Sequence, residues 1–74
     1  MDEPIKVYVK VNSEGYITEI NSSIFIKDLT GWIYCDEGYG DKFAHAQGNY
    51  FSKPLVNENG RYNYLFVNNK IYER

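Results

Sequence analysis

The chain contains one histidine, His45, and one cysteine, Cys35. Any Ser-His-Asp or Cys-His arrangement would have to use that imidazole. His45 sits in Phe43-Ala44-His45-Ala46-Gln47, with no nucleophile motif around it. A histidine hydrogen-bonded to a neighbouring loop is the simpler reading. A lone cysteine cannot form an internal disulfide, and a free cysteine most often behaves as a small buried hydrophobe. It fits a reducing compartment, or a virus particle assembled in one.

The carboxylates gather in Asp36-Glu37-Gly38-Tyr39-Gly40-Asp41. Hard cations such as calcium take oxygen ligands, yet the spacing is not that of an EF-hand loop, and a solvated acidic turn outweighs a metal site. Zinc needs about four ligands, more than one Cys and one His supply. Gly38-Tyr39-Gly40 is no phosphate loop: the third glycine and the Lys-Ser/Thr pair are missing, and the acids would repel phosphate. Paired carboxylates could in principle hydrolyse a glycoside. A domain this small leaves little room for a cleft walled on both sides. These readings converge on a non-enzyme with no catalytic residue, no cofactor, no metal and no small-molecule substrate. What remains is a surface. Asp36, Glu37, Tyr39, Asp41 and His45 are the candidate partner contacts, because loops held by a scaffold are where partners touch.

The elements that must position these residues read as strands. Ile5, Val7, Val9 and Val11 alternate with Lys6, Tyr8 and Lys10, the period of two of a half-buried strand. The first set is expected in the core and the two lysines in solvent. Asn12-Ser13-Glu14-Gly15 is a turn, and Tyr16–Ile20 the returning strand of a hairpin. Asn21-Ser22-Ser23 breaks it. Ile24-Phe25-Ile26 is too short to assign, 27–31 is turn chemistry, and 32–35 reads as a strand. Residues 36–41 read as a polar loop. Asp41 could N-cap a helical turn ended by Gly48. Tyr50–Val56 reads as a strand in which Pro54 marks an edge or a break. Asn57–Gly60 is a turn. Arg61–Val67 is a strand with Tyr62, Tyr64 and Phe66 on one face; 68–70 turns the chain, and Ile71-Tyr72 adds a last short strand. The fold class is therefore all-β: a small antiparallel meander of about five to six short strands, with one short helical turn near 41–48. The central loop 36–50 is expected to be ordered. Trp32, Phe43 and Tyr50 should anchor it, Gly38, Gly40 and Gly48 should permit its turns, and its acids should matter little for stability.

The 74 residues make one domain, 1–74. A chain of this length buries only about 60% of its unfolded surface, so such domains often lean on partners. Eight Lys and Arg against ten Asp and Glu give a net charge of −2. The basic residues are scattered, without the stripe that phosphate neutralisation requires, which argues against nucleic acid. No apolar run approaches the ~20 residues of a membrane span. The acidic, proline-containing start, Met1-Asp2-Glu3-Pro4, is unlike a signal peptide. Aromatic residues make up 18% of the chain. Rings favour strands and bury much area per side chain, so a Tyr-rich β core outweighs an aromatic ligand platform.

Thr30-Gly31-Trp32-Ile33, then the run from Asp36 to Phe51, resembles a segment of tail-region proteins of phages and prophages of Gram-positive bacteria. There it stands alone as a small protein or ends a longer tail or baseplate protein. Asn59-Gly60-Arg61-Tyr62-Asn63-Tyr64 and Lys70-Ile71-Tyr72-Glu73-Arg74 look similar too, so the likeness runs from about Tyr8 onward. It implies a viral setting and a virion or host-interaction role, located in the host cytoplasm or the virion. It carries no catalytic or binding residue. The leading expectation is a non-enzymatic structural or protein-interaction domain, tail-associated, that meets a protein partner or its own copies. The alternatives are a phage-encoded inhibitor of a host protein and a module that binds cell-wall glycan through Tyr and Trp faces.

Overall fold

The structure, a computed structural model, describes residues 3–73. It is all-β and antiparallel: β1 Ile5–Val11, β2 Ile17–Ser22, β3 Ile33–Gly38, β4 Tyr64–Val67 and β5 Lys70–Glu73, with two short helical turns, α1 Asp41–Ala44 and α2 Ala46–Asn49, after β3. The first three strands form a sheet in the order β2-β1-β3, and β4 and β5 form a hairpin of their own. A bridge between Tyr16 and Leu65 and a 2.8 Å bond from the Phe66 N–H to the Gly15 carbonyl stitch the two together.

The order departs from a strictly sequential ribbon, because β3 lies beside β1. β2 and β3 are both antiparallel to β1 and so run parallel on either side of it. Residues 23–32 must therefore carry the chain the length of the sheet. The far end of this crossover meets the face opposite the core. There the Lys10 ammonium lies 4.7 Å over the Trp32 ring, and a Cβ on Gly31 would come within 3.9 Å of the Lys10 stem.

The core is Val7 and Val9 of β1, Ile17 and Ile20 of β2, Ala46 of α2, and Tyr64 and Phe66 of β4. The alternation expected of β1 holds at its centre, where Val7 and Val9 are fully buried, worth about 1.5–3 kcal/mol each. Ile5 and Val11 lie at the strand ends and are only half-buried, so the four-residue core face is shorter than expected. Lys6 is in solvent; Lys10 is half-covered by Trp32 and stands 3.8 Å from Glu19.

The two Asn-x-x-Gly turns are one structure used twice. The Asn12 carbonyl accepts the Gly15 N–H at 3.0 Å, its Oδ1 accepts the N–H of Glu14 and Tyr16, and its own N–H reaches the Tyr16 carbonyl. Asn57 does the same with Gly60, Asn59 and Arg61. Gly15 and Gly60 take φ of 90° and 78°, where a Cβ is strained. Between β4 and β5, Asn68 and Asn69 at φ 54° and 64° make the two-residue turn whose twist suits a hairpin.

Several boundaries differ from the sequence reading. Asn21 and Ser22 do not break β2; the strand continues through them, and Ser22 is fully buried with its hydroxyl donating to the Ala44 carbonyl at 2.9 Å. Asp36, Glu37 and Gly38 are strand rather than loop, because β1 pairs with all three. The helical segment is two turns, not one. Gly40, not Asp41, is the N-cap of α1, with no side-chain cap bond, and Gly48 lies inside α2 rather than ending it. Tyr50–Val56 is not a strand: Phe51 turns inward to stack on Tyr64 at 3.9 Å, and only Val56 pairs, with Tyr62. The strand expected from Arg61 begins at Tyr64, because the N–H and side-chain amide of Asn63 are held by the Leu55 and Pro54 carbonyls.

Candidate functional site

Asp36 stands opposite Val7 on the core side of β3 and is half-buried. Its Oδ2 accepts the Tyr50 hydroxyl at 2.7 Å, and its Oδ1 accepts the Glu37 N–H at 2.8 Å. Burial, then the bond to Asp36, holds the Tyr50 phenol well above its usual range. Burial first, and the Asp36 charge second, push the Cys35 thiol up to about 11. A thiol held neutral in this way is a poor nucleophile at physiological pH. Asp36 thus pins the end of α2 to β3, a contact the sequence reading did not give it.

Phe43 and Tyr50, edge to face at 6.0 Å, pack against the core and anchor the segment as expected. Gly38 is the close-approach glycine: a Cβ there would lie 2.5 Å from two carbons of the Phe43 ring. Trp32, the third expected anchor, sits instead under Lys10 at the start of β3. Gly48 has ordinary φ and open space around it, so no turn requires it.

The other nominated contacts lie in two places. Glu37 is exposed on the outer sheet face, opposite Lys6, and its Oε1 accepts the Tyr34 hydroxyl at 2.6 Å. That bond, more than any other cause, raises the Tyr34 phenol to about 12. Tyr34 packs edge to face on Tyr8 at 6.1 Å. Asp41 and His45 form the second place, one helical turn apart, with Oδ1 and Nδ1 3.5 Å from each other and both side chains exposed. His45 joins α1 to α2, its carbonyl accepting the Gly48 and Asn49 N–H groups, and its ring lies 5.9 Å from Phe25. Tyr39 is 65% exposed in the link between β3 and α1. The five residues therefore do not make one constellation, and neither Cys35 nor Asp36 is hydrogen-bonded to His45. Among the described residues no group of three or more His, Cys, Asp or Glu side chains is gathered so that it could hold a metal ion.

Sequence reasoning passed over the crossover. Ile24, Phe25 and Leu29 are about half exposed, and Ile33 and Tyr34 continue the exposed apolar residues into β3. The available signal was the run Ile24-Phe25-Ile26 next to three polar residues: apolar side chains on a connection too short to build a core of its own. Ser22 was legible too, since it continues the spacing of Ile20 on the same strand face. A cleft of about 250 Å³ also opens between α2 and residues 51–55, lined among others by Ile20, Gln47, Gly48 and Lys53. It is smaller than the roughly 300–1,000 Å³ of most ligand pockets.

Among the described residues no helix is long and apolar enough to cross a membrane. No protein-family model, curated protein or solved structure matches the chain.

Proposed function

We propose that this chain is a non-enzymatic protein-interaction domain of a phage, tail-associated, that docks another tail protein through the crossover and the start of β3. The observation that carries the docking surface is the concentration of exposed apolar side chains within 24–34: Ile24, Phe25, Leu29, Ile33 and Tyr34. An isolated apolar residue on a surface needs no explanation; several of them on one connection are what supports reading it as an interaction surface. The candidate contacts Glu37 and His45 adjoin it, Glu37 through Tyr34 and His45 through Phe25. Tyr39 and Asp41 lie between them along the chain. Asp36 serves the framework behind. The neutral thiol of Cys35 and its separation from His45 favour binding over catalysis. The tail setting is supported by the resemblance of residues 30–33, 36–51, 59–64 and 70–74 to phage tail-region segments.

Mass spectrometry of purified virions from an induced lysogen tests the setting: the chain should be present in amounts stoichiometric with the tail. A chain found only free in the host cytoplasm would favour the inhibitor reading. Phe25→Ser with Leu29→Ser tests the surface. Both side chains are half exposed, so the melting temperature should hold while incorporation falls at least tenfold. Unchanged incorporation would remove the crossover from the interface. A glycan-binding reading has the Tyr8–Tyr34 pair on the outer face in its favour, but the Lys10 ammonium occupies the face of Trp32.

A further inference from the structure

A strand edge carries unpaired N–H and C=O groups, and a second chain can add to it. The three-stranded sheet has two outer edges, β2 and β3. Which groups face outward follows from the ladder. The Lys6 N–H and carbonyl both turn toward β2, meeting the Ser23 hydroxyl at 3.2 Å and the Ser23 N–H at 2.8 Å. In an antiparallel ladder each residue turns its N–H and C=O to one neighbour, and the next residue to the other. Lys6 therefore does not bond its β3 partner, Glu37. The Glu37 N–H points out of the sheet. By the same alternation Val7 turns away from Ser22, and the Ser22 N–H points out of the opposite edge.

These two outward N–H groups are capped, and by the same device. Oδ1 of Asp36 accepts the Glu37 N–H at 2.8 Å. Oδ1 of Asn21 accepts the Ser22 N–H at 2.9 Å. In each case an Asp or Asn side chain folds onto the amide that follows it. At β2 the cap sits beside a carbonyl already taken up by the crossover turn, where Ser22 accepts from Phe25 and Ile26. At β3, among the described residues, no backbone bond reaches the outer edge, so the cap stands alone there. A register shift at Cys35 further breaks the regularity of this edge.

We infer that Asp36 is an edge guard: its carboxylate keeps β3 from pairing with β3 of a second copy. The second copy is the occupant that the residues fit. Tyr8 turns toward β2 like Lys6, so its partner Tyr34 faces outward as Glu37 does. An antiparallel two-fold register sets Tyr34 opposite Glu37 of the second copy and Glu37 opposite its Tyr34. These side chains already hydrogen-bond within one chain at 2.6 Å, so they are complementary across the axis. The same register keeps Glu37 from facing Glu37, which would be repulsive. What opposes pairing is the one donor already occupied by Asp36.

The test separates guarding from stability, because Asp36 has two bonds and only one guards. Tyr50→Phe removes the Tyr50–Asp36 bond and leaves the cap; Asp36→Ala removes both. Sedimentation velocity across a wide concentration range should show the parent and Tyr50→Phe as monomers and Asp36→Ala as a concentration-dependent dimer. A synthetic Asp36→Ala chain with the Glu37 amide N-methylated should return to monomer. Equal self-association of Tyr50→Phe and Asp36→Ala, or a dimer that persists after methylation, would overturn the inference. A measurement on the parent needs no variant to fold. Exchange of the Glu37 amide should be at least tenfold slower than in an unstructured peptide, although it faces out of an edge strand. Exchange at the unstructured rate would also overturn the inference.

Discussion

Gly38→Ala separates two effects of opposite sign. Gly38 sits in β3 without a positive φ, so alanine could adopt its backbone conformation unstrained. Judged by the backbone alone, the substitution should stabilise by about 0.4–1 kcal/mol, because it restricts the unfolded chain. The packing says otherwise. The new Cβ would stand 2.5 Å from Cε2 and Cζ of Phe43 and 3.0 Å from Cδ2. Carbon atoms rest at roughly 3.5–4.0 Å, so the ring would have to retreat by about 1 Å. Phe43 is held against Tyr50 and the core and cannot swing away freely. Overpacking of this kind costs about 1–3 kcal/mol, which exceeds the backbone gain. The expected net loss is about 1–2 kcal/mol in urea denaturation at constant slope. In a Phe43→Ala background the clash is absent and Gly38→Ala should become neutral or stabilising, a coupling of about 1.5–3 kcal/mol in the double-mutant cycle. Gly48→Ala is the control: helical, unstrained and facing open space, it should gain about 0.5–1 kcal/mol. If Gly38→Ala were as stabilising as Gly48→Ala, the Phe43–Gly38 contact would be refuted.

Ser22→Ala should cost about 1 kcal/mol in chemical denaturation, since it removes the bond from the fully buried Ser22 hydroxyl to the Ala44 carbonyl at the end of α1. Cys35, raised from an ordinary 9.0 to about 11, keeps its proton in the folded chain while the unfolded chain releases it. The unfolded state then binds fewer protons, so stability is intact below pH 9.0 and falls as the pH rises toward about 11. Equilibrium unfolding at several alkaline pH values should show this slope, and Cys35→Ser should remove the part that begins near pH 9.0, leaving that of the raised Tyr34 and Tyr50 phenols. At pH 8 the native thiol should react with a disulfide reagent about a hundredfold more slowly than the urea-unfolded chain; equal rates would show the thiol to be exposed.

What was legible in the sequence was what depends on local rules. The alternation about Val7 and Val9 placed a strand, and the Asn and Gly pairs placed two turns that prove identical bond for bond. Composition misled where a strand lies at an edge. Asp36-Glu37-Gly38 looks like a loop because acids and glycine are poor strand formers. An edge strand needs only one partner, however, and each residue here has a separate reason: Asp36 holds Tyr50, Glu37 holds Tyr34, and Gly38 admits the Phe43 ring. The opposite error fell on 50–56, whose rings suggested a strand. Phe51 pays for its burial by stacking on Tyr64, not by pairing its backbone. The Asp36–Tyr50 and Phe51–Tyr64 contacts have no local signature, since their partners lie far apart in sequence.

The same distinction decides what the central acids do. Their proximity in sequence invited one joint role, as a cation site or a contact surface. The alternation of β3 divides them, sending Asp36 to the core side and Glu37 to the outer face, while Asp41 leaves the strand altogether for the first turn of α1. A carboxylate on the core side must find donors, and Asp36 finds a phenol and an edge amide. A carboxylate on the outer face has solvent as an alternative, so Glu37 can exchange Tyr34 for a partner at little cost. Asp41 and His45 are likewise exposed, and their 3.5 Å approach is of the kind that contributes little to stability. A triple replacement of the acids by amides therefore mixes one framework position with two surface positions. Replaced singly, Glu37→Gln and Asp41→Asn should leave the fold intact and report on the partner. Asp36→Ala reports on the fold and on the edge of β3.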